Sequence, residues 1–391
     1  MSATEAKIPM LDLRAQHAAL EEELLEGFAA IIASGNFVLG DPVANFEAEL
    51  ARLCDARHAL GCNSGTDALW LALRALDIGP GDAVLCPAYS FYATAATIVR
   101  VGARPVFADI LPGSLNLDPV DAIRRAEAIP NLRAIISVDL FGRICELGPL
   151  EAHAASREIP IIQDAAQSIG ALDEAGGAVG SRARIACFSF YPTKNLGALG
   201  DAGGIVTSDA GLAQKISQLR VHGECEPGVY DSIGINSRLD ALQAVALGVK
   251  LGHLEAWTHA RRQLAAHYDA LFAERGAARP GESFEEARLP LHTPEPSRAS
   301  GVHTYHRYVI RVPADRRADL SKALEREGIA SAVFYPRGLH QQPALAEYAP
   351  SVPLVETERA RSETLALPLF PELGIDRVEL IVAAVARFLE G

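Results

Sequence analysis

The sequence predicts an α/β fold: a large, mostly parallel sheet with helices on both faces, followed by a smaller C-terminal α+β unit. Three observations predict it. Between residues 60 and 210 short apolar runs alternate with longer amphipathic ones, the pattern of strand–helix–strand repeats. Residues 276–302 are rich in Gly, Pro, Glu, Arg and Ser and read as a connecting loop before a second, shorter set of elements. The length of 391 residues suits two domains, at roughly 100–200 residues each. The expected division is 1–250, with the N-terminal segment, and 251–391.

The elements follow in order. A helix opens at about residue 65 and runs to 76. Residues 83–86 read as a strand stopped by Pro87, and 92–101 as a helix. A strand at 105–108 leads to a helix near 119–128. The buried strand 134–138 precedes a helix from about 147 to 157. Strand 160–163 ends at Asp164, and 185–190 and 205–207 add two more. Residues 238–275 predict one long helix or two in tandem, because Leu239, Leu242, Ala246 and Val249 recur at helical spacing. The smaller unit reads as strand 308–312, helix 316–327, strand 329–335 and a final helix 375–389.

Composition excludes several classes. The chain is 49% hydrophobic and 22% charged, with a formal charge of −13. So acidic a protein is a poor general binder of nucleic acid or of an anionic membrane. No apolar run reaches the ~18–20 residues of a spanning helix. The N-terminus lacks the basic-then-apolar order of a signal peptide, so a cytoplasmic location is expected. The six cysteines, Cys54, Cys62, Cys86, Cys145, Cys187 and Cys225, form no CxxC pair. They read as small apolar residues, and no metal site is expected.

Three segments carry chemistry. In Asn63-Ser-Gly65-Thr66-Asp-Ala-Leu69 small polar residues open an apolar helix. Such a start is a plain N-cap or an anion site built from free N–H groups and hydroxyls. The run Pro160-Ile-Ile-Gln-Asp164-Ala-Ala166-Gln167 ends an apolar strand in a carboxylate. Asp164 either caps a turn or lies beneath a pyridine nitrogen, which it keeps protonated so that the ring becomes an electron sink. Ala166 would face the same way and leave room for a flat ring. In Ser189-Phe-Tyr-Pro-Thr193-Lys194-Asn-Leu-Gly197 a single Lys stands in irregular backbone after a strand. It is either solvated surface or the amine of a Schiff base. In parallel α/β sheets ligands sit beyond the C-terminal strand ends, which brings Asp164 and the loops after Cys86 and Phe190 to one place.

Phosphate cradle, ring-nitrogen carboxylate and lysine occur here in the chain order of a pyridoxal 5'-phosphate (PLP) site. With NSGTDAL (63–69), GPGD (79–82), PAYSFYAT (87–94), GARPVFADI (102–110), DAAQS (164–168), FSFYPTKNLG (188–197), GDAGG (200–204), INSRLDALQA (235–244) and YPRGLHQQPA (335–344), the sequence resembles the DegT/DnrJ/EryC1/StrS family of sugar aminotransferases. These in turn look like fold-type I PLP-transferases. The resemblance implies that Lys194 forms the Schiff base and carries the proton, and that Asp164 pairs with the pyridinium. It implies that Gln167 lies near the phenolic oxygen, with Phe91 stacked on one ring face and Ala166 on the other. Gly65, Thr66 and Ser189 would hold the phosphate. Asn236 would reach it from a neighbouring subunit, making a homodimer with shared sites the active unit, and Arg238 from that neighbour would meet a substrate phosphate or carboxylate. The substrate would be a nucleotide-linked 3- or 4-keto hexose, with L-glutamate as amino donor.

Two positions depart from the family pattern. Where members often read HYP, this chain has Phe334-Tyr335-Pro336, which leaves Tyr335 and His340 as substrate contacts; after Tyr230 it has Asp231 in place of His. A related PLP- or PMP-dependent sugar dehydratase branch puts His where Lys194 stands, so Lys194 argues against it. A cyclitol aminotransferase fits the same motifs. A non-enzymatic regulator on this fold is opposed by the complete Lys194–Asp164 pair and by the lack of a basic DNA-binding segment.

Overall fold

The structure, a computed structural model, describes residues 7–278 and 282–391. The large sheet contains β1 (His58–Cys62), β2 (Ala83–Pro87), β3 (Arg104–Ala108), β4 (Leu132–Val138), β5 (Ile161–Asp164), β6 (Ile185–Ser189) and β7 (Gly203–Thr207). Their spatial order is β1-β7-β6-β5-β4-β2-β3. The pairs among β2 to β6 are parallel, whereas β7 runs antiparallel to both β6 and β1. The strands are apolar nearly end to end, as strands covered on both faces must be. All five residues of β2 and of β7 are buried.

Register brings one residue of each central strand to a common edge. Cys62 pairs with Gly203, Gly203 with Ser189, and Asp164 with Val138. The helix Gly65–Ala75 starts at that edge, and Ala68, Leu69, Trp70, Leu71, Ala72, Leu73 and Ala75 are all buried. Apolar almost all round, it belongs in the core and cannot lie on the surface.

After a short hairpin, β8 (Glu224–Glu226) with β9 (Val229–Tyr230), the stretch 238–275 folds as two helices, Ala241–Leu251 and Leu254–Glu274. A second sheet follows in the order β10 (Ala277–Ala278), β11 (Leu289–His292), β12 (Tyr308–Arg311), β13 (Thr364–Leu367). Its core includes Leu289, Leu291, Ile310, Leu365 and Leu367, with Val378, Ile381 and Val385 from the final helix Ile375–Glu390. Ile8 joins this core from the other end of the chain. The α/β expectation therefore stands. No helix among the described residues is long and apolar enough to cross a membrane.

Two expected elements differ. The stretch 276–302 is not all loop, because Leu289 and Leu291, buried on either side of the half-buried Pro290, form β11. Conversely, 329–335 is no strand: it makes only isolated bridges, Ile329 with Ile8 and Ala332 with Ala366. Beyond Ala332 the backbone is held by a side chain. The Tyr89 hydroxyl donates to the Phe334 carbonyl and accepts from the Tyr335 N–H, both at 2.7 Å. The segment turns towards the large sheet as a result.

Candidate active site

At the common strand edge lies a cavity of about 560 Å³. Its wall takes Ser64, Gly65 and Thr66 after β1, Ser90 and Phe91 after β2, and Phe141 after β4. Asp164, Ala166 and Gln167 come from the end of β5 and the turn after it, Ser189 from the end of β6, and Lys194 from beyond it. The smaller unit closes it with His306, Arg307, Phe334 and Tyr335. The expected group Gly65, Thr66, Phe91, Asp164, Ala166, Gln167, Ser189, Lys194 and Tyr335 is thus brought together.

Asp164 is buried, and burial pushes its carboxyl above the usual range. Its Oδ2 accepts from Thr94 Oγ1 at 2.8 Å, and its Oδ1 from the Ala166 N–H at 3.3 Å, both of which favour the charged form, as does the nearby Lys194. Ser90 Oγ lies 2.9 Å from Thr94 Oγ1. Because Thr94 spends its proton on the carboxylate, Ser90 is the donor in that pair. Gln167 is fixed at both ends: Oε1 accepts from the Phe141 N–H at 2.8 Å, and Nε2 donates to the Tyr335 hydroxyl at 3.3 Å.

Burial lowers the Lys194 ammonium to about 8; Asp164 works against this and Arg307 with it. A lysine so placed is partly an amine near neutral pH, the form that attacks a carbonyl carbon. Its loop is anchored from behind by Lys250, fully buried, whose Nζ donates to the Gly197 carbonyl at 2.7 Å and lies 2.8 Å from His17 Nε2.

The residues fit a phosphorylated pyridine aldehyde. Ser64 caps the helix by accepting from the Asp67 N–H at 3.1 Å, and the N–H groups of Gly65 and Thr66 have no carbonyl partner within the helix, as at any helix start. A Cβ at Gly65 would stand 2.7 Å from Ser189 Cβ, so only glycine lets the helix start approach that hydroxyl. A Cβ at Gly203 would lie 2.4 Å from the Ser64 carbonyl carbon, which explains the glycine opening β7. The buried Asp164 carboxylate, with two neutral donors and no arginine, suits a ring N–H.

Three expected residues stand apart from this wall. Asn236 is exposed and Arg238 half-buried, both just before the helix Ala241–Leu251. His340 sits in the turn Leu339–Gln341 and points away, its Nε2 3.1 Å from Glu358 Oε1. Sequence reasoning missed Thr94, although it lies inside the PAYSFYAT segment, and also His306 and Arg307. Their signal was His303-Thr-Tyr-His306-Arg307, polar and aromatic residues directly before an apolar strand.

A model of the DegT/DnrJ/EryC1/StrS aminotransferase family matches residues 18–386. A UDP-N-acetyl-3-dehydro-alpha-D-glucosamine 3-aminotransferase of Acidithiobacillus ferrooxidans is 41% identical, covering 98% of each chain. A pleiotropic regulatory protein of Geobacillus stearothermophilus is 40% identical over 97% of this chain and 98% of its own. DesV of Streptomyces venezuelae, solved in complex with a ketimine intermediate, superposes with a TM-score of 0.90 at 34% identity, covering 98% of this chain and 99% of that one.

Proposed function

The chain belongs to the DegT/DnrJ/EryC1/StrS aminotransferase family, and on that premise we propose that it aminates a nucleotide-linked 3- or 4-keto hexose with L-glutamate as donor and PLP as cofactor. The observation that carries this reading is the convergence of Lys194, Asp164 and the Ser64–Thr66 helix start on one cavity. Gly65, Thr66 and Ser189 would hold the phosphate, Phe91 and Ala166 the two ring faces, and Gln167 the side of the phenolic oxygen. Bound there, PLP supplies an electron sink for the carbon next to the transferred nitrogen.

The chain's own groups do the rest. Asp164 holds the proton on the ring nitrogen, and Thr94, backed by Ser90, keeps its carboxylate aimed. Lys194 Nζ takes and returns the proton that moves during amino transfer. The walls supplied by Phe334 and Tyr335 keep water from the reacting carbon. The relatives named for UDP-linked sugar amination and for a ketimine complex support a sugar substrate. The relative named as regulatory favours a non-catalytic reading, but the intact Lys194–Asp164 pair speaks for catalysis here. Lys194 opposes the dehydratase.

Asn236 and Arg238 complete the proposal as residues of a partner's site in a cytoplasmic homodimer. The test is a panel of nucleotide keto sugars incubated with glutamate and PLP-loaded protein. Formation of an amino sugar with release of 2-oxoglutarate is expected. Turnover of keto cyclitols alone would move the assignment to that class.

A further inference from the structure

One cation on the cavity wall has no task in the reading above. Arg307 stands just before β12, and its guanidinium carbon lies 5.2 Å over the Phe334 ring. It lines the same cavity as Lys194. Among the described residues no carboxylate pairs with its guanidinium, whereas the buried Arg143, Arg220 and Arg311 hold carboxylates and the buried Arg261 donates to the Tyr305 and Leu369 carbonyls. Around it lie Tyr335, Phe334, Phe141 and the buried His306, and on its other side a small cavity whose one carboxylate, Glu295, is taken by Arg143. Arg307 is half-buried; a guanidinium drawn into a cavity without an anion loses hydration uncompensated, and such a site is built to receive the anion from outside.

We propose that Arg307 binds the α-carboxylate of the amino-acid donor. This rests on the aminotransferase reading. In an α-amino acid the carboxylate is carried by the very carbon that bears the amine, so its cation must stand beside the reacting nitrogen. Arg307 lines the cavity that Lys194 lines, and its charge adds to the burial that disfavours the Lys194 ammonium. The phosphates of a nucleotide sugar lie several bonds from the keto carbon and need a cation further out. Both substrates use one cavity in turn. The donor is therefore recognised at Arg307, and the sugar enters once the released keto acid has freed it.

Two measurements test this on PLP-loaded protein. Calorimetry with glutarate, an unreactive dicarboxylate, should show binding to wild type, roughly ten- to a hundredfold weaker in R307Q. R307K should fall between them, because ammonium keeps the charge but not the fork. Steady-state kinetics should show the glutamate KM rising in R307Q by a similar factor while the sugar KM stays. Equal glutarate affinity in wild type and R307Q overturns the assignment, as does a rise confined to the sugar KM. A wild type that binds glutarate through Arg307 but releases no 2-oxoglutarate from glutamate overturns the aminotransferase reading and leaves the carboxylate site standing.

Discussion

Thr94 donates its hydroxyl proton to the Asp164 carboxylate across 2.8 Å, from the first turn of one helix to the tip of a strand seventy residues later in the chain. Burial works against the charge on Asp164, and Thr94 works for it. The charge needed under a pyridinium is thus maintained by a neighbour and not by solvent. Asp164→Asn should fold and still bind cofactor, since volume hardly changes, yet turnover should fall by orders of magnitude because an amide cannot hold the ring proton. Thr94→Val should cost less, about tenfold, by removing one donor to a charged group. Its pH–rate profile should shift at the acid limb. Near-normal turnover in Asp164→Asn would remove the carboxylate from the mechanism.

The lysine gives a pH test that needs no substrate. In cofactor-free protein Lys194 is lowered to about 8 from its ordinary value of 10.5. Folded protein therefore binds fewer protons than unfolded protein between those values, and stability rises with pH across that window. Below pH 8 both states carry the proton and the burial cost is complete. Lys194→Met should accordingly be more stable than wild type at pH 7, by up to about 3 kcal/mol, and the gap should shrink by pH 10. Chemical denaturation of both proteins at two pH values measures it. A pH-independent gap would show that the amine is not desolvated.

Lys250 anchors the catalytic loop by its bond to the Gly197 carbonyl. Lys250→Met fills the same space but leaves that carbonyl unpaired, a loss of about 1–3 kcal/mol that stands out most at pH 10, where the amine, lowered by burial to about 8, is neutral in the folded protein and its removal no longer relieves a buried charge. Denaturation should register it, and borohydride reduction of PLP-loaded protein should label Lys194 less completely than in wild type. Unchanged stability would mean that water replaces the ammonium.

Arg238 is absent from its own chain's cavity wall, as a residue serving a partner would be. Mixing Lys194→Ala with Arg238→Ala under subunit exchange should restore up to about a quarter of wild-type activity, because half the dimers are mixed and each carries one intact site of two. Verified exchange with no recovery would confine the site to one chain.

The parts of this site written in consecutive residues were legible. Asp164 closes an apolar strand and Lys194 follows one, so strand pattern and the rule of C-terminal edges suffice to bring them near each other. Arg307 and Thr94 were not legible, because what marks them is what they face: a missing carboxylate in one case and a buried one in the other. The His340 expectation came from a motif, and only the turn Leu339–Gln341 reveals that its imidazole is directed at Glu358. Strand 329–335 failed for a similar reason, since the hydroxyl that replaces its ladder belongs to Tyr89, far away in sequence.

The antiparallel pairing of β1 with β7 joins Cys62 to Gly203, residues separated by more than a third of the chain. Loop closure over such a span is entropically slow, and a strand waiting for its neighbour exposes an edge in the meantime. During synthesis the helix at Gly65 is made early, but the glycine that seats it emerges only after β2 to β6. The phosphate cradle is therefore among the last features to assemble. Chains truncated before residue 203 should remain protease-sensitive around residues 58–66 even where the parallel strands have already condensed.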